Sequence, residues 1–286
     1  MNKVVLFILL SVTTSVAQTT TWTAASNPHV VNGTYTVPAG QTLVMDAGVI
    51  VNINANSTLQ VNGQLVGNGT AANRITITGA SNFSSLVNVT GTSNLAFTKV
   101  RAQVRPYQDG TLLFADCNFS ANGTIFNNAV QTAGRAPYLQ FDRCAFQGNG
   151  TNQSSSLYLA YATVVLRNTS FANGSYCSVY PGYLYLDQIS SNQSSDFGFA
   201  LGSDGDLFLN NVTVTNAAHG GLKLAGDTRN GTNVLIGPNV TLTGNEFPVH
   251  LTVAGLYPGS NVPATGNVNN LIHVSDYAGE SGDPSL

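Results

Sequence analysis

The sequence predicts an all-β chain wound as a single-stranded parallel β-helix, a solenoid of roughly 10 to 12 coils. Three observations carry that expectation. Leu112, Phe114, Cys117, Phe119, Asn122 and Gly123 are matched by Leu139, Phe141, Cys144, Phe146, Asn149 and Gly150, each displaced by 27 positions. One displacement shared by so many places marks a repeated structural unit. Elsewhere the apolar residues come in short alternating runs closed by Gly, Asn or Asp, which is strand and not helix patterning. Like residues recur at like places with no hairpin dipeptides between runs, as stacked parallel strands require and an antiparallel sandwich does not.

Taken in order, Met1 to Ala17 has an early positive charge at Lys3, an apolar run from Val4 to Leu10 and the small-residue ending Ser15-Val16-Ala17. That pattern is a secretory signal peptide over 1–17, too short in its apolar part to span a bilayer. No later stretch is apolar enough to cross a membrane, so a secreted or cell-surface chain is expected. Residues 18–34 are polar, carry the single tryptophan, Trp22, and are read as an N-terminal cap. The helix proper is expected over 35–274, beginning with the runs Tyr35 to Gly40, Leu43 to Met45, Val49 to Ile53, Leu59 to Gly63 and Ile75 to Gly79.

Later coils align on the last apolar residue before a polar turn: Phe97, Phe114, Phe141, Leu166, Leu186, Leu209 and Ile236. Three residues on stands another apolar or small residue, at Val100, Cys117, Cys144, Thr169, Ile189 and Val212, which fits two strands joined by a tight corner. A further run completes most coils, as in Leu157-Tyr158-Leu159, Leu184-Tyr185-Leu186 and Gly221 to Leu224. Residues 275–286 turn to Gly, Ser, Asp and Pro and read as a frayed tail.

The coil phrases Val37-Pro38-Ala39-Gly40, Leu59-Gln60-Val61-Asn62-Gly63 and Ile75-Thr76-Ile77-Thr78-Gly79 resemble the first coils of secreted right-handed parallel β-helix proteins of the pectate-lyase-like class. The phrases Phe119 to Asn122 and Phe146 to Asn149 resemble adhesin repeats, without the Gly-Gly-Ala-Ile partner motif of those proteins. The resemblance implies the fold and leaves the activity open.

Composition limits the partners. Charged residues make up 8% of the chain and the net charge is -3, against about a quarter charged in ordinary soluble proteins. The basic residues are scattered, so nucleic acid is not an expected partner. Cys117, Cys144 and Cys177 are odd in number. Cys117 and Cys144 hold equivalent repeat positions, so they either form a bridge or pack as two buried thiols; parallel side-chain directions favour thiols.

The chemistry of polysaccharide lyases and hydrolases calls for clustered charge. One residue past each anchor lie Thr98, Ala115, Asp142, Arg167, Asp187 and Asn210, expected as an outward column. Arg167 between Asp142 and Asp187 is the candidate base of a lyase acting on uronic-acid polymers, the one reading that would require Ca²⁺. The competing reading is a surface charge ladder, favoured because the next column, Lys99, Asp116 and Arg143, alternates too. A galacturonan hydrolase would need paired carboxylates; no adjacent Asp pair occurs, and Asp204-Gly205-Asp206 reads as a turn. His29, His219, His250 and His273 are dispersed in sequence, with no metal-ligand spacing. Tyr158, Tyr183 and Tyr185, with Tyr180 nearby, alternate with inward leucines and are the candidate ligand-binding residues, flat faces for stacking on sugar rings. The Asn-x-Ser/Thr sequon occurs 15 times, against roughly six expected for random order, either as corner chemistry or as glycosylation sites.

The function expected is therefore non-catalytic binding or adhesion to extracellular polysaccharide or cell-surface glycan. The alternatives are a polysaccharide lyase and a structural spacer of a longer exported protein.

Overall fold

A computed structural model describes residues 17–80, 85–88, 90–107, 109–120, 125–127, 136–148, 157–179, 182–202, 205–225, 233–252 and 265–275. The expected leader, apart from Ala17, lies outside them. So do the tail from 276 on, the corners Asn122-Gly123 and Asn149-Gly150, Tyr180 and Asp204.

The chain is a parallel β-solenoid. Each coil lays down up to three strands, and each strand pairs in parallel with its counterparts one coil before and after, forming three ladders. The first ladder begins with Thr19–Trp22, the second with His29–Val31 and the third with Thr34–Val37. The register reproduces the sequence repeat: Leu112 pairs with Leu139, Phe114 with Phe141 and Phe119 with Phe146. Among the described residues about eight turns present three separate strands, against the 10 to 12 coils expected. Two further levels run the first and second strands together, as Gly182–Asn192 and Asp206–Thr215, and His273–Ser275 stands at the far end of the third ladder. Those two long strands join the first and second ladders into one sheet of 18 strands; the third ladder is a sheet of 11.

The corner between the first and second ladders takes a single residue in the left-handed region. Phe97, Asp116, Arg143, Asn168, Gln188, Asn211 and Asn239 occupy it with φ between 45° and 58°. Asn and Asp tolerate this conformation best, and Arg and Phe hold it only under tertiary constraint. Phe97 at the corner corrects the alignment expected from sequence. Leu95, not Phe97, pairs with Phe114, so Ala96 and not Thr98 heads the column of Ala115 and Asp142. Phe97, not Lys99, then stands level with Asp116 and Arg143. The physical reason is burial: Leu95 fills the bore, whereas Phe97 is turned out and covered by the Arg74 guanidinium 5.5 Å from its ring centroid. The same Arg74 donates to the Asp116 carbonyl at 2.6 Å.

Inward side chains form one continuous apolar core. Its middle is a stack of phenylalanines, with Phe119 on Phe146 at 4.7 Å and Phe146 on Phe171 at 4.6 Å between ring centroids. At the first coil, Trp22, His29 and Tyr35 pair with the inward Met45, Val51 and Leu59. Trp22 stacks on His29 at 4.8 Å and touches Tyr35 at 5.1 Å, so one ring from each ladder lies across that end of the bore. Residues 18–34 thus build strands of the first coil itself. No helix among the described residues is long and apolar enough to cross a membrane.

All three cysteines are buried thiols. Cys117 Sγ donates to the carbonyls of Leu95 and Ala115, and Cys144 Sγ to those of Phe114 and Asp142. The contact between Cys117 and Cys144 pushes the Cys144 thiol up and lowers that of Cys117, while burial raises Cys177. Because all three thiols are buried, native protein at pH 8 should show no fast-reacting thiol with a disulfide reagent and three after unfolding; a Cys117–Cys144 bridge in the mass spectrum would refute this.

Candidate binding faces

Strand alternation turns every second residue outward, and the register brings residues far apart in sequence into columns along the axis. Asp142, Arg167 and Asp187 do stack on successive levels of the first ladder, followed by Asn210. Their bonding is not an alternating ladder. Arg143, from the corner, donates to both Asp116 oxygens at 2.9 and 3.0 Å and also pairs with Asp142. The second Asp142 oxygen accepts from Asn168 at 3.0 Å, and Asp187 accepts from Asn210 and Asn211 at 2.9 and 3.2 Å. Both neighbouring carboxylates raise the Arg143 affinity for its proton, Asp116 most. Arg167 is exposed and pairs with neither aspartate in its column.

Tyr183 and Tyr185 project from the first ladder and are exposed by 55% and 37%. Tyr138 shares the column of Tyr183 with Thr163 between them, which sets the two rings roughly 10 Å apart at the usual strand spacing. Phe208 follows Tyr185 in the next column, centroid to centroid 6.3 Å, and Leu235 follows Phe208. Tyr158 is outward as well, but on the third ladder, where it pairs with Ser178. The likeness of Leu157-Tyr158-Leu159 to Leu184-Tyr185-Leu186 suggested one kind of strand; the register puts them on different sheets.

The third ladder holds a column that its sequence spacing conceals. Ser178, Ala200, Lys223, His250 and His273 follow one another outward on successive levels. His250 and His273 meet ring to edge at 4.5 Å, His273 stacks on Phe247 at 4.6 Å, and His219 lies 3.4 Å from Glu246. Three histidines dispersed in sequence thus converge on one end of one face. No local signal announces this, since their intervals are set by coil length.

The register also accounts for several sequons. In Asn168-Thr169-Ser170, Asn211-Val212-Thr213 and Asn239-Val240-Thr241 the Asn takes the left-handed corner, the middle residue is buried and the third points outward. In Asn173-Gly174-Ser175 the Asn holds the next corner and Ser175 Oγ donates to the Phe146 and Ala172 carbonyls. Corner geometry thus accounts for the Asn of these triplets.

Comparison with family models, with curated proteins and with solved structures yields no match, so the likeness to known β-helix proteins stands at the level of the parallel β-solenoid, which the chain's own register shows.

Proposed function

We propose that the chain is a secreted or cell-surface protein of the right-handed, pectate-lyase-like β-helix type that binds extracellular glycan without turning it over. The observation that supports this reading is the aromatic floor of the first ladder, where Tyr183 and Tyr185 are exposed next to Phe208 and in register with Tyr138. Rings standing on a rigid sheet offer flat faces at intervals fixed by the coil rise, and stacking against them costs little side-chain entropy. Asp142 and Asp187 beside the floor already accept protein donors. That leaves the lyase alternative resting on Arg167 alone.

The test is a glycan array probed with the wild type and with a Tyr158→Ala, Tyr183→Ala, Tyr185→Ala triple variant. A loss of about tenfold or more is expected, with an unchanged unfolding midpoint because the rings are exposed. Full binding by the triple variant overturns the assignment of the face. Release of unsaturated products from uronic-acid polymers in Ca²⁺ would replace the reading with the lyase.

A further inference from the structure

The second ladder presents a different outward face, and its chemistry points to a different ligand. Its two outward columns carry Thr, Ser, Asn, Gln, Ala and a few aliphatic residues on the described levels, and no Asp or Glu. Lys99 and Arg101 are the charged residues there. They alternate on the strand Thr98–Arg101, so both side chains leave the same side, roughly 7 Å apart at the Cα atoms. Both are exposed, and neither makes an ion pair among the described residues.

Arg167 on the first ladder is likewise without an acidic partner, but the other described cations of this region are held. Arg74 is held by the Asp116 carbonyl and the Phe97 ring, Arg105 by Gln103, and Arg143 by Asp116 and Asp142. Below Lys99 and Arg101 the side chains shorten to Ala145, leaving a hollow of about 220 Å³ edged by the donors Asn118, Ser120 and Gln147. Long cations above a hollow bordered by amide and hydroxyl groups suit an anionic oxygen cluster, which takes charge-assisted bonds from the first and neutral ones from the second.

The field of the chain favours the same place. Among the described residues, 47–186 hold six Arg and Lys against three Asp, whereas 187–275 hold four Asp and Glu against one Lys. In a stack, position in sequence is position along the axis. The chain is negative overall but positive over its middle coils, and such a field steers anions there.

We infer that the hollow beneath Lys99 and Arg101 is a second binding site, separate from the tyrosine face, for the sulfate or carboxylate substituent of an acidic glycan. The experiment is calorimetric titration of the full chain at low and moderate salt with three oligosaccharides of equal length, one sulfated, one uronic and one uncharged. Either or both charged ligands should bind and weaken with salt, and the one that binds identifies the substituent. A Lys99→Gln, Arg101→Gln variant should lose tenfold or more at an unchanged unfolding midpoint. An Arg105→Gln variant, which removes charge from another face, should bind as the wild type. The site is overturned if neither charged ligand binds, if the double variant binds as the wild type, or if Arg105→Gln loses as much. Triple replacement of the tyrosines should leave this binding intact, so failure here and failure of the tyrosine face are read separately.

Discussion

Gly91→Ala should stop the coil that begins at Thr92 from seating on the coil before it. Gly91 lies at the corner where the third ladder hands the chain to the first, and a methyl group there would collide with the Gly63 carbonyl oxygen, with the Gly63 carbonyl carbon at 2.9 Å and the Asn62 carbonyl carbon at 3.0 Å. All of these are backbone atoms, so no side chain can rotate away. The Gly63 carbonyl also accepts from Thr92 at 3.0 Å, the bond that starts the next pairing. The expected loss is about 4 to 5 kcal/mol, the range reserved for strain in packed regions, seen as a large fall in the thermal midpoint or as insoluble expression. Gly40→Ala is the control. Gly40 has φ +76° but nothing within 4 Å of an added methyl, so only the left-handed penalty of about 1 to 2 kcal/mol applies. If Gly91→Ala proves no worse than Gly40→Ala, close coil contact is not what selects glycine at that corner.

Phe146→Ala should be the most damaging truncation in the bore. The ring is 1% exposed and lies between Phe119 and Phe171, tilted by 19° and 3° from them. Deleting it removes buried apolar surface and breaks the stack at its centre, and neighbours anchored in two hydrogen-bonded sheets have little freedom to close the gap. A cost of about 3 to 5 kcal/mol follows, measurable as a lowered urea midpoint. Because stability in a solenoid is a sum over coils and the contacts between them, the loss should also broaden the transition as the two ends uncouple. A midpoint within about 0.5 kcal/mol of the wild type, the range of a surface substitution, would show that the stack carries no such weight.

How much of this was legible in the sequence follows from the kind of residue at each place. Leu112, Phe114 and Phe119 announced their counterparts because a stack repeats its core at every level, and period-two alternation is local enough to read directly. The corner was harder. Phe97 looks like a core anchor, being large, apolar and followed by a polar run, yet it sits outside the bore in a left-handed conformation. Only the pairing of Leu95 with Phe114 shows which of the two fills the core. Tyr158 and Tyr185 share the pattern leucine, tyrosine, leucine and were legible as outward residues, but a strand's pattern does not name its ladder.

By itself the sequence determined the parallel stack, its core and the outward direction of its tyrosines, because alternation and repetition are properties of neighbours along the chain. Only the tertiary structure decided which residues meet. Unequal coil lengths set the offset between columns, and that offset drew His219, His250 and His273 to one face, took Lys99 out of the column of Asp116 and Arg143, and left Lys99 and Arg101 without acidic partners above a hollow.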